Sequence, residues 1–469
     1  MTKLTPSQLP QETLQGALQK ALRNNYLLED ITTIQVLLDE HQVFEFSCLD
    51  NGLFPASPAA DAKNTGYTNV WIRDNIYVAY AHHVSGKTDI ALKNVSTLLQ
   101  YFKKYSYRFK RVIDTQAKPS SCMERPHVRF NGLELAELDE PWQHAQNDAL
   151  GYFLWLYCKL HAKEDSRGSS KLDRDAIEVL TLFPLYFQAI RFWEDEDSGH
   201  WEEAPKVEAS SIGVVTAGLK ELRNLIANVS SPPQAWQYKG KIVDTQLLDD
   251  LIECGYLALN TILPAECIQA PPRSRRHDSA LLFLAYPLEI LEDSLAQQIV
   301  EEIIANLRGE LGIRRYMGDN FWCRDFQNLP KNIQNSPYTD RQDWLREHAK
   351  EIVLGEEAQW CIFDPIISAY YGRKYQSKSS KPEDLRLQIQ YLNRSLNQIT
   401  QKGYIVEERS PEGIDKSVEI PEFKCPELYY IQKGRHTPNT STPLLWAQAN
   451  LLIALEAMKQ SLLQSPTSN

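Results

Sequence analysis

The chain has 469 residues, 43% of them hydrophobic, and its 50 Lys and Arg stand against 61 Asp and Glu for a net charge of −11. So acidic a chain repels phosphate backbones, which argues against general nucleic-acid binding. No run of about 18 apolar residues spans a membrane, and 20 Gly with 25 Pro leave no long low-complexity linker.

Along the chain, helical periodicity dominates. The first stretch, MTKLTPSQLPQETLQ, lacks an apolar secretory region, so the cytoplasm is the default location. Helices are predicted at 10–24, 30–40, 74–84 and 88–104. KKYSYRFKR at 103–111 interleaves cations with aromatic rings, as base-stacking segments do, or forms a solvated helix end. Asp148 precedes the apolar run ALGYFLWLYCKL as a candidate cap, KEDSRGSSKL at 163–172 reads as an exposed excursion, and 174–192 is helical again. After Ser210 and Ser211, which suit an N-cap, Ile212, Val215, Leu219, Leu222 and Ile226 mark one helix face. Further helices are expected at 243–260, after Asp278 through SALLFLAYPLEIL, and along Leu295, Ile299, Ile303 and Leu307 with Gly309 as the stop. A second exposed excursion covers 327–345; AQWCIFDPIISAYYG then forms a helix that Gly372 ends, followed by 384–400. KGYIVEER at 402–409 alternates like a strand, and 443–462 is apolar on most sides, hence buried. About a dozen helices joined by long loops suggest hairpins in a ring or solenoid. No composition break divides them, so residues 1–462 read as one domain and 463–469 as a frayed polar tail.

Eight cysteines are scattered without CxxC spacing, which leaves zinc and dithiol chemistry unsupported; no metal or organic cofactor is expected. The chemistry lies in acidic and aromatic motifs. HWEEAPKVEASS at 200–211 puts Glu202 and Glu203 beside Trp201 just before a helix, where an apolar wall would raise a proton donor's pKa; ordinary loop acids are the competing reading. CPELYY at 425–430 hems Glu427 among apolar residues, as a held base or a solvent-facing strand residue. In WIRDN at 71–75, Arg73 and Asp74 suit vicinal hydroxyls, or else a structural ion pair with Asp74 as a cap. His144 in WQHAQND has no nucleophile or metal partner and reads as a wall residue. RSRRHD at 273–278 suits phosphate or hydroxyls, or else a plain solvated turn.

Taken together, GLFPAS, VWIRDNIYVAY, WQHAQNDALG, HWEE followed by ASSIGVVTAGLKEL, HDSALLFLAYP, GIRRYMGDNFW, EEAQWCIF, PELYY and TPLLWAQANLLI resemble, in order and spacing over residues 40–460, the glucoamylase family (glycoside hydrolase family 15) and the related amino-terminal domain of phosphorylase kinase α and β subunits. The resemblance implies an all-α (α/α)6 barrel with its site in one mouth and an inverting attack on α-linked glucosides or glycogen ends. By motif position it makes Glu202 the general acid and Glu427 the base, with Glu202 raised in pKa and Glu427 kept ionised by donors. It puts Arg73 and Asp74 on the non-reducing sugar, Trp71, Trp142 and Trp201 at ring-stacking positions, Glu203 beside the sugar, and Asp148 and Arg275 among the substrate contacts. A loop longer than in fungal glucoamylases lets Glu208 compete for the acid role, and Arg273 and Arg276 compete with Arg275. The alternative is a glucan-binding regulatory module that does not cut. Either way the partner is an oligosaccharide or glucan, not nucleic acid or membrane.

Overall fold

The computed structural model describes residues 14–57, 67–118, 120–162, 172–228, 235–324, 326–334, 338–348, 350, 352–409 and 415–464. Among these, Leu14–Ala21, Ser106–Ile113, Lys331–Gln334 and Tyr338–Glu347 lie outside the main layers, while twelve further helices alternate between an outer and an inner layer. They run as outer α1 (Leu28–Glu40), inner α2 (Ile72–Val84), outer α3 (Thr88–Lys104), inner α4 (Asn147–His161), outer α5 (Arg174–Ile190), inner α6 (Ala209–Asn228), outer α7 (Thr245–Ile262), inner α8 (Leu282–Ala285), outer α9 (Asp293–Leu307), inner α10 (Phe363–Tyr375), outer α11 (Pro382–Asn397) and inner α12 (Leu445–Gln464). The inner six close on themselves: α2 touches α4, then α6, α8, α10 and α12 follow in turn, and α12 returns to α2. The fold is an all-α (α/α)6 barrel.

Residue pattern decides the layer. In α2 every residue from Ile72 to His82 is buried, and α4 and α12 are buried almost throughout. In α3 a single stripe containing Ala91, Val95, Leu98 and Phe102 faces inward, as in a helix with one wet side. Caps set the starts of two outer helices: Asp173 accepts from Ala176 N at 2.7 Å and Asp244 from Leu247 N at 2.9 Å. Inner helices α4 and α6 approach closely through glycine. A Cβ at Gly151 would sit 2.8 Å from the Val214 backbone, and one at Gly218 would sit 2.7 Å from the Gly151 carbonyl.

Local expectations fail where the backbone finds other partners. Helix α6 begins at Ala209, so Ser210 and Ser211 lie inside it rather than capping it. The long helix expected after Asp278 shrinks to a 3-10 turn, Ser279–Leu281, and four residues of α8, because Pro287 cannot continue it. Asp148 is the second residue of α4, not its cap, and α10 runs past Gly372 to Tyr375. Residues 359–360 are a strand, paired with Leu428–Gln432. Among the described residues of 327–345, expected as an exposed excursion, Arg341 is buried and donates to Asn320 Oδ1 at 2.8 Å. Leu463 and Gln464 belong to α12. Most of KEDSRGSSKL, the tail beyond 464 and the first 13 residues lie outside the described residues.

The basic segment 103–111 closes α3 and continues into a separate short helix, Ser106–Ile113. Arg108 pairs with Glu137 at 2.6 Å, Lys110 with Glu178 at 3.1 Å and Lys103 with Asp175, so these three cations are already matched to acids, while Lys104 donates to the Leu135 carbonyl at 2.8 Å. No described helix is long and apolar enough to cross a membrane.

Connections sort by end. Outer-to-inner links such as 41–71, 105–146, 308–362 and 398–444 are long, whereas 85–87 and 376–381 return from inner to outer in a few residues. The long links therefore gather where the inner helices begin.

Candidate active site

All candidate residues lie on or before the first turn of an inner helix, at the end where six positive helix termini favour anionic groups. The loop before α6 is shaped by an antiparallel bridge, with Asp197 N and Lys206 N each donating to the other residue's carbonyl at 3.0 Å. Within it Gly199 has φ +51° against the Glu208 carboxylate, leaving no room for a side chain. Glu202 also adopts a left-handed φ of +58°, an uncommon state for a residue with a Cβ and one found at functional sites.

That turn separates three neighbouring acids. The Glu202 side chain keeps 21% exposure, accepts from Trp71 Nε1 at 3.0 Å and lies 3.4 Å from Arg73. Burial raises its pKa, against the charges of Arg73 and Arg129. Glu203 turns the other way, into Arg275 at 3.2 Å, Arg315 at 3.3 Å and the Tyr316 hydroxyl. Burial alone would raise its carboxyl, but Arg275 and Arg315 outweigh burial and hold it below its usual range. Glu208 is buried against Lys206. Glu202 alone of the three keeps its carboxyl open at the mouth.

Glu427 immediately precedes the strand Leu428–Gln432, whose partner segment holds it in place: Cys361 N donates to the Glu427 carbonyl at 3.0 Å. Its carboxyl accepts from Asn439 Nδ2 at 2.5 Å and Tyr67 OH at 3.2 Å. Those donors do not keep it at an ordinary value. Burial pushes the carboxyl up to about 7, with Asn439, Tyr67 and Arg315 offsetting only part of the rise. The expectation of a low-pKa base fails here because a fully enclosed carboxylate loses more hydration than two neutral donors return.

Tyr67 links the two acids. Its ring lies 5.7 Å from that of Trp71, so the path runs from Glu427 through Tyr67 and Trp71 to Glu202. Asp74, in the first turn of α2, has its carboxyl pushed up to about 7 by burial and by Glu202, against Arg73. Arg73 is 3% exposed, contacts Gln146 Oε1 at 3.3 Å and pairs with Asp148. Asp148 is completely buried and lies behind Arg73. It therefore supports the cation instead of facing a ligand, contrary to its expected place among the substrate contacts.

The indoles divide similarly. Trp71 and Trp142 meet edge to face at 6.1 Å, and Arg129 lies over both rings, 5.0 and 4.1 Å from their centroids. Trp201 is 8% exposed, donates to Asp278 at 2.9 Å and carries Arg315 over its ring at 5.2 Å. Among the three competing arginines, Arg273 pairs on the surface with Glu196 and Arg276 with Glu302. Only Arg275 enters the cluster. His144 is a wall residue: it accepts from Val128 N at 3.3 Å and stacks 3.7 Å from His127. Burial first, then His127 and two arginines, lower it to about 2, so it stays neutral.

Sequence reasoning missed Tyr67, Arg129, Arg315 and Asn439 as site residues. Arg129 comes from a segment without a motif and reaches the site because its strand pairs Arg129 with Trp71.

Two separated carboxyls, one beside an indole and a guanidinium and the other held by a phenol and an amide, can hand a proton to an acetal oxygen and take one from water. Comparison with known proteins agrees. The profile of glycosyl hydrolases family 15 matches residues 46–464. No curated protein matches the chain. Among solved structures, a glycosidase variant aligns at TM-score 0.59 and 16% identity, over 94% of this chain and 98% of that one. A bacterial glucoamylase complexed with acarbose aligns at 0.55 and 13% identity, over 95% of this chain and 58% of that one. The Saccharomycopsis fibuligera glucoamylase aligns at 0.55 and 12% identity, over 94% of this chain and 97% of that one. At such identities the structural matches bear on the fold alone.

Proposed function

The chain belongs to glycosyl hydrolases family 15 and is a glycoside hydrolase, and from that premise we propose that it is a glucoamylase-like exo-enzyme. It releases glucose, with inversion, from the non-reducing ends of short α-glucosides or glycogen-like glucans. Residues 1–462 act as one catalytic unit in the cytoplasm, with a glucan and neither nucleic acid nor membrane as partner.

The reading rests on one observation: Glu202 and Glu427 come from segments more than two hundred residues apart, yet meet through Tyr67 and Trp71. In the mechanism, Glu202 donates its proton to the glycosidic oxygen as the C–O bond breaks. Glu427 removes a proton from a water that attacks the opposite face. The released alcohol carries the proton from Glu202, the sugar carries the hydroxyl, and Glu427 returns its proton through solvent. Inversion requires space for that water, so the two carboxyls should stand about 6.5–9.5 Å apart once sugar is bound. The reactive form holds one proton on the pair, carried by Glu202. Arg73 and Asp74 hold the non-reducing sugar, and Glu203 and Arg275 the next one. Trp71, Trp142 and Trp201 supply the apolar walls.

Roles are separable with a leaving group that needs no proton. On α-glucosyl fluoride, Glu202→Gln should retain turnover that it loses on maltose, and Glu427→Gln should lose both. Wild-type rates on maltose in Glu202→Gln would overturn the assignment. Tight glucan binding by the wild type without turnover on maltose, maltotriose, isomaltose, trehalose or glycogen would favour the regulatory module instead.

A further inference from the structure

One cation at this site serves two carboxylates. Arg73 is buried, with NH1 on Asp148 and Gln146 and NH2 3.4 Å from Glu202. Asp148 has no access to solvent, and its Oδ1 is a buried atom without a hydrogen-bond partner among the described residues. Behind it stands His200, whose Nε2 lies 3.7 Å from Asp148 and 3.1 Å from Tyr152 OH. The other His200 nitrogen contacts Ser210 Oγ at 3.2 Å, and Ser210 donates to Glu266 at 2.6 Å. A fully enclosed carboxylate is costly unless it serves the group it pairs with, and the catalytic scheme gives Asp148 nothing to do.

We propose that Asp148 is a positioning residue that holds Arg73 by one nitrogen, limits the grip of the other on Glu202, and so keeps Glu202 available as a proton donor. The proposal rests on the reading of Glu202 as the acid. Its physics is charge sharing. A guanidinium facing one carboxylate alone would stabilise that carboxylate's ionised form strongly, because opposite charges a few ångströms apart in a dry site attract with little screening. The Asp148 carboxyl beside Arg73 takes a share of that field through NH1. The other groups facing Glu202 are Asp74 on α2, Tyr67 and Trp71 before it, Arg129 on the paired strand and Gln146 at the start of α4. Those facing Asp148 are Arg73, His200, Tyr77, Tyr152 and Asp197; burial lowers His200 to about 4, leaving it uncharged near neutral pH, so Arg73 is the cation that Asp148 offsets.

The test is a direct titration of Glu202 by 13C NMR in the full chain labelled with [δ-13C]glutamate, the resonance assigned by its loss in Glu202→Gln. Asp148→Asn keeps the shape and an acceptor for Arg73 but removes the charge. It should lower the Glu202 midpoint by roughly one pH unit or more and move the alkaline limb of kcat/KM down with it. Asp148→Glu should restore the wild-type midpoint. Where Asp148→Asn fails to fold, Arg73→Gln combined with Asp148→Asn removes cation and anion together and should leave the midpoint near the wild-type value; a rise of roughly one pH unit or more would show that Asp148 offsets little of Arg73 and overturn the proposal. An unmoved midpoint in folded Asp148→Asn overturns the proposal, since a purely structural Asp148 would change stability or KM without touching the titration. The NMR readout needs no substrate. A chain that cuts no glucoside would therefore sink the functional reading without deciding this one.

Discussion

Trp71 Nε1 donates to Glu202 Oε1 at 3.0 Å, and the residue receiving that bond sits in the left-handed region at φ +58°. The indole and the turn together aim one carboxyl of an adjacent pair at the mouth while its neighbour goes to the arginines. A donor to a carboxyl favours its ionised form. Trp71→Phe should therefore move the alkaline limb of kcat/KM to higher pH and, by loosening the acid, lower kcat on maltose roughly 10-fold. Steady-state kinetics across pH would show both effects.

Arg315 is 4% exposed and bonds Asp319 at 2.6 Å through two nitrogens as well as Glu203 at 3.3 Å. Arg315→Met leaves two buried carboxylates without this cation and should cost about 3–5 kcal/mol by urea unfolding. Arg276→Met, which breaks an exposed pair with Glu302, should cost less than about 1 kcal/mol.

How far these sites were legible in the sequence follows from which signals are local. The alternation of all-round apolar helices with one-sided ones is written in the chain, and so is the position of each motif just before an inner helix. The choice between Glu202 and Glu203 is not, since adjacent acids in one loop have equal local claims. A single left-handed φ and two arginines more than 70 residues away separate them. Arg129 was invisible because its place depends on strand register with Trp71. The raised pKa of Glu427 was not legible because both its donors, Asn439 and Tyr67, and its depth of burial come from packing that the local sequence does not record.

The Glu427 carboxyl has a folded value of about 7 against an ordinary 4.5. The folded state then holds a proton that the unfolded chain releases, so stability is greatest below about pH 4.5 for this group and falls as pH rises through 7. Glu427→Gln removes that loss. Its Tm should exceed the wild type's at pH 8 by more than at pH 5, with a gain on the order of 3 kcal/mol at full ionisation. Calorimetry at the two pH values checks the sign.

Asp74 should behave in the same direction, since its folded value is also about 7. Asp74→Asn is expected to relieve the alkaline destabilisation while raising KM for maltose at least ~10-fold, because one carboxylate acceptor for the sugar hydroxyls becomes an amide donor. Unfolding curves and kinetics on the same preparation test both halves.

The central claim is that Glu202 and Glu427 work across one bond with water between them. Following the first product anomer by 1H NMR during maltose hydrolysis tests it most directly. The account predicts β-glucose as the nascent product, abolished in both Glu202→Gln and Glu427→Gln. Nascent α-glucose, or β-glucose that persists undiminished in either variant, would contradict it.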